Sequence, residues 1–171
     1  MRKVLVIDTS ILCVWLDVPG KESCGPNHDR WDKQRVTEKI RQEEAAKTTF
    51  VLPLASIIET GNHIAQIKGY SPLKYAQSFA ELIRKTAENQ TPWAAFAQQS
   101  ELWSAEKLKI LADTWPPLAE QKLSLGDATI KDVAEYYTKM SYQVEILTGD
   151  QGLKAYEPIA RIEQPRRRQR K

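Results

Sequence analysis

Cysteine is scarce: Cys13 and Cys24 are the only two, and they form no CxxC pair. A cytosolic chain of this size rarely depends on a disulfide. Cys24 and His28 lie four apart, but a structural zinc needs four ligands and this stretch offers two. Long apolar runs are also missing. None approaches the roughly 20 residues of a membrane span. The opening Met1-Arg2-Lys3 followed by Val4 to Ile7 has the order of a secretion signal, but its apolar part breaks at Asp8. That is far short of the roughly 7–15 residues a signal needs. The stretch reads instead as a first strand, and a cytoplasmic protein is expected. Neither GxGxxG nor GxxxxGK[ST] occurs, which argues against a dinucleotide or P-loop site. There is no internal repeat and no linker.

A chain of 171 residues is enough for one domain with a full core. The formal charge is only +3, and its distribution says more than its sum. Arg161, Arg166, Arg167, Arg168, Arg170 and Lys171 crowd the end of the chain against one acid, Glu163, so the rest is slightly acidic. We read a single domain over 1–163 and a basic tail over 164–171. Such a tail attracts phosphate nonspecifically, or simply keeps the protein soluble.

Val4 to Ile7 is apolar throughout, as suits a strand buried on both faces of a parallel sheet. Phe50 to Leu52 and Val144 to Leu147 read as further strands, and 157–162 as a last one. Loop residues crowd 17–29. Helices are expected over 31–46, 54–67, 72–88 and 93–102. Another starts at Ser104 and ends before Pro116-Pro117, and one opens at Gly126-Asp127. On the helix over 54–67 the apolar stripe is Leu54, Ile57, Ile58, Ile64 and Ile67. Strands alternating with helices predict an α/β fold with a parallel sheet of about four to five strands and helices on both faces. The helices between Pro72 and Asp113 predict an extended helical hairpin. Trp93, Phe96, Trp103 and Trp115 are dense there and suit a core or a partner interface.

Three acids stand in comparable positions. Asp8 follows a strand, Asp150 lies just past another, and Asp127 sits at a helix start. In open parallel sheets the carboxyl ends of the strands line a crevice where ligands bind. Glu59 lies about one and a half turns into the helix after the second strand and can reach that crevice. Taken singly, each has an ordinary explanation: Asp8 and Asp127 as helix caps, Asp150 as a turn residue. Together they would repel one another, and a hard divalent cation removes that penalty. A bound metal lowers the pKa of water and neutralises phosphate charge.

Four segments carry a resemblance. Val6-Ile7-Asp8-Thr9-Ser10, Ile57-Ile58-Glu59, Leu125-Gly126-Asp127-Ala128 and Leu147-Thr148-Gly149-Asp150 resemble, in the same order, the four acidic motifs of PIN-domain nucleases. The resemblance implies a parallel sheet with helices on both faces and Mg²⁺- or Mn²⁺-dependent hydrolysis of RNA. It makes Asp8, Glu59, Asp127 and Asp150 catalytic metal-site residues, with Ser10 and Thr148 orienting them. Asn62, three residues after Glu59, is a candidate to join those two. His63, one turn after Glu59, is a candidate to touch substrate, and Arg166, Arg167, Arg168, Arg170 and Lys171 to hold the nucleic-acid backbone. Many bacterial members of that family are toxins neutralised by a small antitoxin, and they often dimerise. This chain is longer, with an inserted loop around 17–30, so the partner stays open, as does RNA against DNA. A haloacid-dehalogenase-like phosphatase also has an Asp after its first strand but needs a second Asp two residues on, where Ser10 stands. A PIN-like scaffold that binds RNA or protein without chemistry remains the alternative.

Overall fold

The computed structural model describes residues 2–94 and 96–159, backbone only at 96–98. The elements run β1 (Lys3–Ile7), α1 (Thr9–Trp15), β2 (Ser23–Cys24), β3 (Trp31–Asp32), α2 (Lys33–Ala45), β4 (Thr49–Val51), α3 (Leu54–Ala65) and α4 (Leu73–Ala87). They continue with a 3₁₀ segment at Phe96–Trp103, then α5 (Ala105–Glu120), α6 (Leu125–Lys139), β5 (Gln143–Leu147) and α7 (Gln151–Lys154). Among the described residues no helix is long and apolar enough to cross a membrane.

The main sheet is parallel, in the order β4-β1-β5. β1 sits in the middle because every position from Val4 to Ile7 is apolar, and all four are 0% exposed. Burying each is worth roughly 1.5–3 kcal/mol. Alternation divides them between two cores. Leu5 and Ile7 pack with α1, α2 and Phe79 of α4, while Val4 and Val6 pack with Ile130, Val133 and Tyr137 of α6. From β1 the chain moves outward to β4, then crosses back over β1 to reach β5. The carboxyl ends of β1 and β5 therefore flank a topological switch, where open α/β sheets form their crevice.

The α/β class and the parallel sheet are as expected, with fewer strands than the four to five expected. Among the described residues there are three, plus one parallel bridge from Phe50 to Trp93. Phe50 takes a hydrogen bond from Ala94 N and donates its own N–H to Pro92 O, both at 2.8 Å. Trp93 is thus extended, not helical, because the free edge of β4 recruits it. It is core, packed edge-on to Phe50 and stacked on Trp15. The last expected strand, 157–162, is not a strand at 157–159, and its remainder lies outside the described residues, as does the basic tail. On β5, Glu157 accepts from Ile146 N at 2.7 Å and Lys154 donates to Ile146 O at 2.9 Å. They satisfy an edge that would otherwise offer itself to another chain.

The helical hairpin does not form as expected. With Trp93 anchored at the sheet, α4 packs on α3 while α5 packs on α6. α5 also runs through Pro116 and Pro117, although each proline removes a helical donor. Its last turn is fastened by Trp115 Nε1 donating to Leu123 O at 3.2 Å. On α3 the buried line is Ser56, Thr60 and Ile64, so Ile58, two residues or about 200° from Ser56, is exposed rather than part of the apolar stripe. Loop 17–30 holds β2, which pairs antiparallel with β3.

Away from the crevice, Lys3 and Lys39 share Glu43 and Glu145 in a four-membered charge cluster. Glu43 is 7% exposed and also accepts from the Thr48 hydroxyl at 2.6 Å. Burial opposes its ionisation, but the two lysines and Thr48 prevail and hold its carboxyl down at about 2. The stabilisation is therefore complete above the ordinary glutamate pKa of about 4.3 and is lost as pH falls toward 2. Glu43→Gln is expected to cost about 2 kcal/mol in urea denaturation at pH 7. The gap to the parent protein should close steadily between about pH 4 and pH 2. A gap that is constant with pH would show that the charge is not what stabilises.

Candidate active site

Asp8 occupies the first position past β1. Its N–H still pairs with Leu147 O at 3.1 Å, so the β1–β5 ladder runs up to the residue itself. Its carboxylate caps α1, and the residue is buried, 5% exposed. Oδ2 accepts from Ser10 Oγ at 2.7 Å, from Ser10 N at 3.3 Å and from Thr148 Oγ1 at 2.8 Å. The two hydroxyls reach onward: Ser10 Oγ accepts from Gly149 N at 3.0 Å and Thr148 Oγ1 from Asp150 N at 2.9 Å. One carboxylate and two hydroxyls thus lock the end of β5 to the start of α1. Oδ1 has no protein partner among the described residues.

Asp150 is exposed and caps α7, its Oδ1 accepting from Gly152 N at 2.7 Å and Leu153 N at 3.3 Å. Asp127 lies in the first turn of α6, which opens at Leu125 rather than at Gly126. Ser124 is the cap: its hydroxyl accepts from Asp127 N at 3.0 Å and donates to Asp127 Oδ2 at 2.7 Å. Glu59, on α3, accepts from Thr9 Oγ1 at 3.1 Å. All four acids line one cavity of about 320 Å³, together with Thr9, Ser10, Ser124, Lys21, His63 and both cysteines.

Two glycines make the gathering feasible. A Cβ on Gly126 would stand 2.4 Å from Glu59 Oε1. On Gly149 it would stand 2.6 Å from Cys24 Sγ and 2.7 Å from Gly25 N, where the inserted loop folds back over the end of β5.

Burial raises Glu59 above the usual carboxylate range. The Thr9 hydroxyl opposes that shift, and the charges of Asp127 and Asp8 add to it. Asp127 is raised by burial too, against the Ser124 hydroxyl and with the charges of Asp8 and Asp150. Burial pushes the Cys13 thiol up to about 11 and also raises Cys24, so both stay protonated at neutral pH and are weak ligands.

Asn62 is exposed and does not line the cavity. Asn62 lies about 60° from Glu59 to one side of the helix and His63 about 40° to the other, and it is the His63 side that lines the cavity. Thr9, Ser124 and Lys21 escaped the sequence reading. A Ser-x-x-Asp box marks Ser124 and adjacency to Asp8 marks Thr9, while nothing local marks Lys21.

Among the described residues, no three His, Cys, Asp or Glu side chains are arranged to hold a metal ion as they stand. The donor set still fits a hard cation. Mg²⁺ keeps several waters and takes one or two carboxylates directly, so acids that share a cavity without meeting at one point suit it. No family model, no curated protein and no solved structure matches the chain.

Gly149→Ala must move backbone and should cost about 1–3 kcal/mol in urea denaturation. Gly126→Ala meets only the end of the Glu59 side chain and should cost much less; equal costs would contradict the packing described. The raised carboxyls oppose folding where they ionise, so their penalty fades as pH falls through the acid range. Asp127→Asn should therefore raise the Tm of metal-free protein at pH 7 by about 2 °C. The gain should vanish below about pH 4. A lowered Tm at pH 7 would show that Asp127 is a favourable cap instead.

Proposed function

We propose that the chain is a metal-dependent phosphodiester hydrolase of the PIN-like kind, acting on RNA. One observation carries the reading: four acids from the end of β1, from α3, from the start of α6 and from beyond β5 line a single cavity at the carboxyl edge of a parallel sheet. The PIN-like fold and the choice of RNA rest on the resemblance of the four motifs.

Asp8, Asp127 and Asp150 would hold Mg²⁺ or Mn²⁺ directly or through water, with Glu59 completing the set. Bound there, the ion would offset the repulsion among the acids, neutralise charge on the phosphate and lower the pKa of water. The chain's own work is positioning. Ser10 and Thr148 fix Oδ2 of Asp8, Ser124 fixes Oδ2 of Asp127, and Thr9 fixes Oε2 of Glu59. Each acid keeps one oxygen without a protein partner among the described residues. Lys21, which lines the same cavity, can meet a phosphate oxygen and orient the substrate.

A second reading has one observation in its favour: the acids do not form a ready coordination shell. On it, the chain is an inert PIN-like scaffold for RNA or protein. Cleavage decides between the two. With Mn²⁺ and single-stranded RNA the parent protein should cleave, and Asp8→Asn and Asp150→Asn should each lower the rate by about 100-fold or more. Full activity in both variants would remove the mechanism, and an inactive parent protein would favour the scaffold.

A further inference from the structure

An acidic cavity can hold one phosphate with its counter-ion but gives no grip on the rest of a polynucleotide. A second pocket, of about 640 Å³, adjoins it, and Lys21 and His63 line both. It continues past the end of α3 along Gln66, Lys68 and Tyr70. Its size falls in the roughly 300–1,000 Å³ range of pockets that take small organic groups.

The wall carries two cations without an ion-pair partner among the described residues, Lys21 and Lys68. Its acids are engaged: Asp17 pairs with Lys33 at 2.8 Å, and Glu22 accepts from Gly20 N at 2.8 Å. Tyr70 is 67% exposed and makes no ring contact among the described residues. Tyr75, also in the wall, has Lys74 Nζ 4.9 Å from its ring centroid. Free ammonium groups beside an open aromatic face suit a single-stranded nucleic acid, whose unpaired bases stack while its phosphates meet cations. A duplex, with its bases already stacked, would leave the ring unused.

We infer that this second pocket binds the nucleotide flanking the scissile phosphate of a single-stranded polynucleotide, with Tyr70 stacked on its base and Lys21 and Lys68 on its phosphates. The position of the scissile phosphate rests on the hydrolase reading; the binding itself does not.

The test is fluorescence anisotropy with a labelled oligouridine of about 12 nucleotides, in Ca²⁺, on the full chain. Tyr70→Ala and Lys68→Ala are both surface changes, so an unchanged thermal melt confirms that each variant is folded. Tyr70→Ala should weaken binding roughly 5-fold or more, the loss of one stacked base. Lys68→Ala should weaken it and flatten its salt dependence by about one phosphate contact. A 5-iodouridine version should crosslink under light to the peptide holding Tyr70. Parent-like binding by both variants, crosslinks only elsewhere, or no binding by the parent protein overturns the inference. Binding and crosslinking without cleavage in Mn²⁺ would sink the hydrolase reading and leave the subsite standing. Cleavage by the parent protein with parent-like affinity in both variants would do the reverse.

Discussion

Like charges confined to one cavity have to be held there, and the clamp on Asp8 fixes both that residue and the turn that carries Asp150. Asp8 Oδ2 takes two hydroxyl hydrogen bonds, from Ser10 on α1 and Thr148 past β5, so it joins two segments far apart in sequence. Each hydroxyl then takes a backbone N–H from the turn that carries Asp150. Remove the carboxylate and both hydroxyls lose their acceptor, while Thr148 loses its side-chain tie to the end of β1. The same group that would face a cation also organises the switch point of the sheet.

The rest of the cavity is built at some cost to stability. Glu59 and Asp127 are raised by burial and by the neighbouring acids, so at neutral pH their charges oppose folding. The cluster of Lys3, Lys39, Glu43 and Glu145 works the other way: each acid there has two cations, and its charge favours folding. Sites that bind charged ligands commonly carry this kind of local penalty, offset elsewhere in the molecule.

Where every residue of a segment was apolar, the sequence was easy to read. Val4 to Ile7 reads as a strand buried on both faces, and it is the central one. The four acids were legible from their places after strands and at helix starts, and Ser10 and Thr148 from their motif positions. What stayed hidden depends on tertiary pairing. Trp93 is expected to open a helix yet is extended, because an open strand edge captured it. Lys154 and Glu157 use their side chains on the backbone of Ile146, where residues 157–159 were expected to pair as a strand. α5 passes through two prolines because its far end is anchored by Trp115. Asn62 looked right by spacing, but the turn of the helix favours His63. Lys21 had no local signal at all, since only the folding back of loop 17–30 brings it to the acids.

Whether this cavity takes a divalent cation is tested by titrating Mn²⁺ and following its electron paramagnetic resonance. Free Mn²⁺ gives a sharp six-line signal that broadens away on binding. A cation site among the four acids predicts saturable loss of that signal with the full chain at neutral pH, and weakened loss in Asp8→Asn, Glu59→Gln, Asp127→Asn and Asp150→Asn. An undiminished signal, or binding that none of the four substitutions affects, would contradict it.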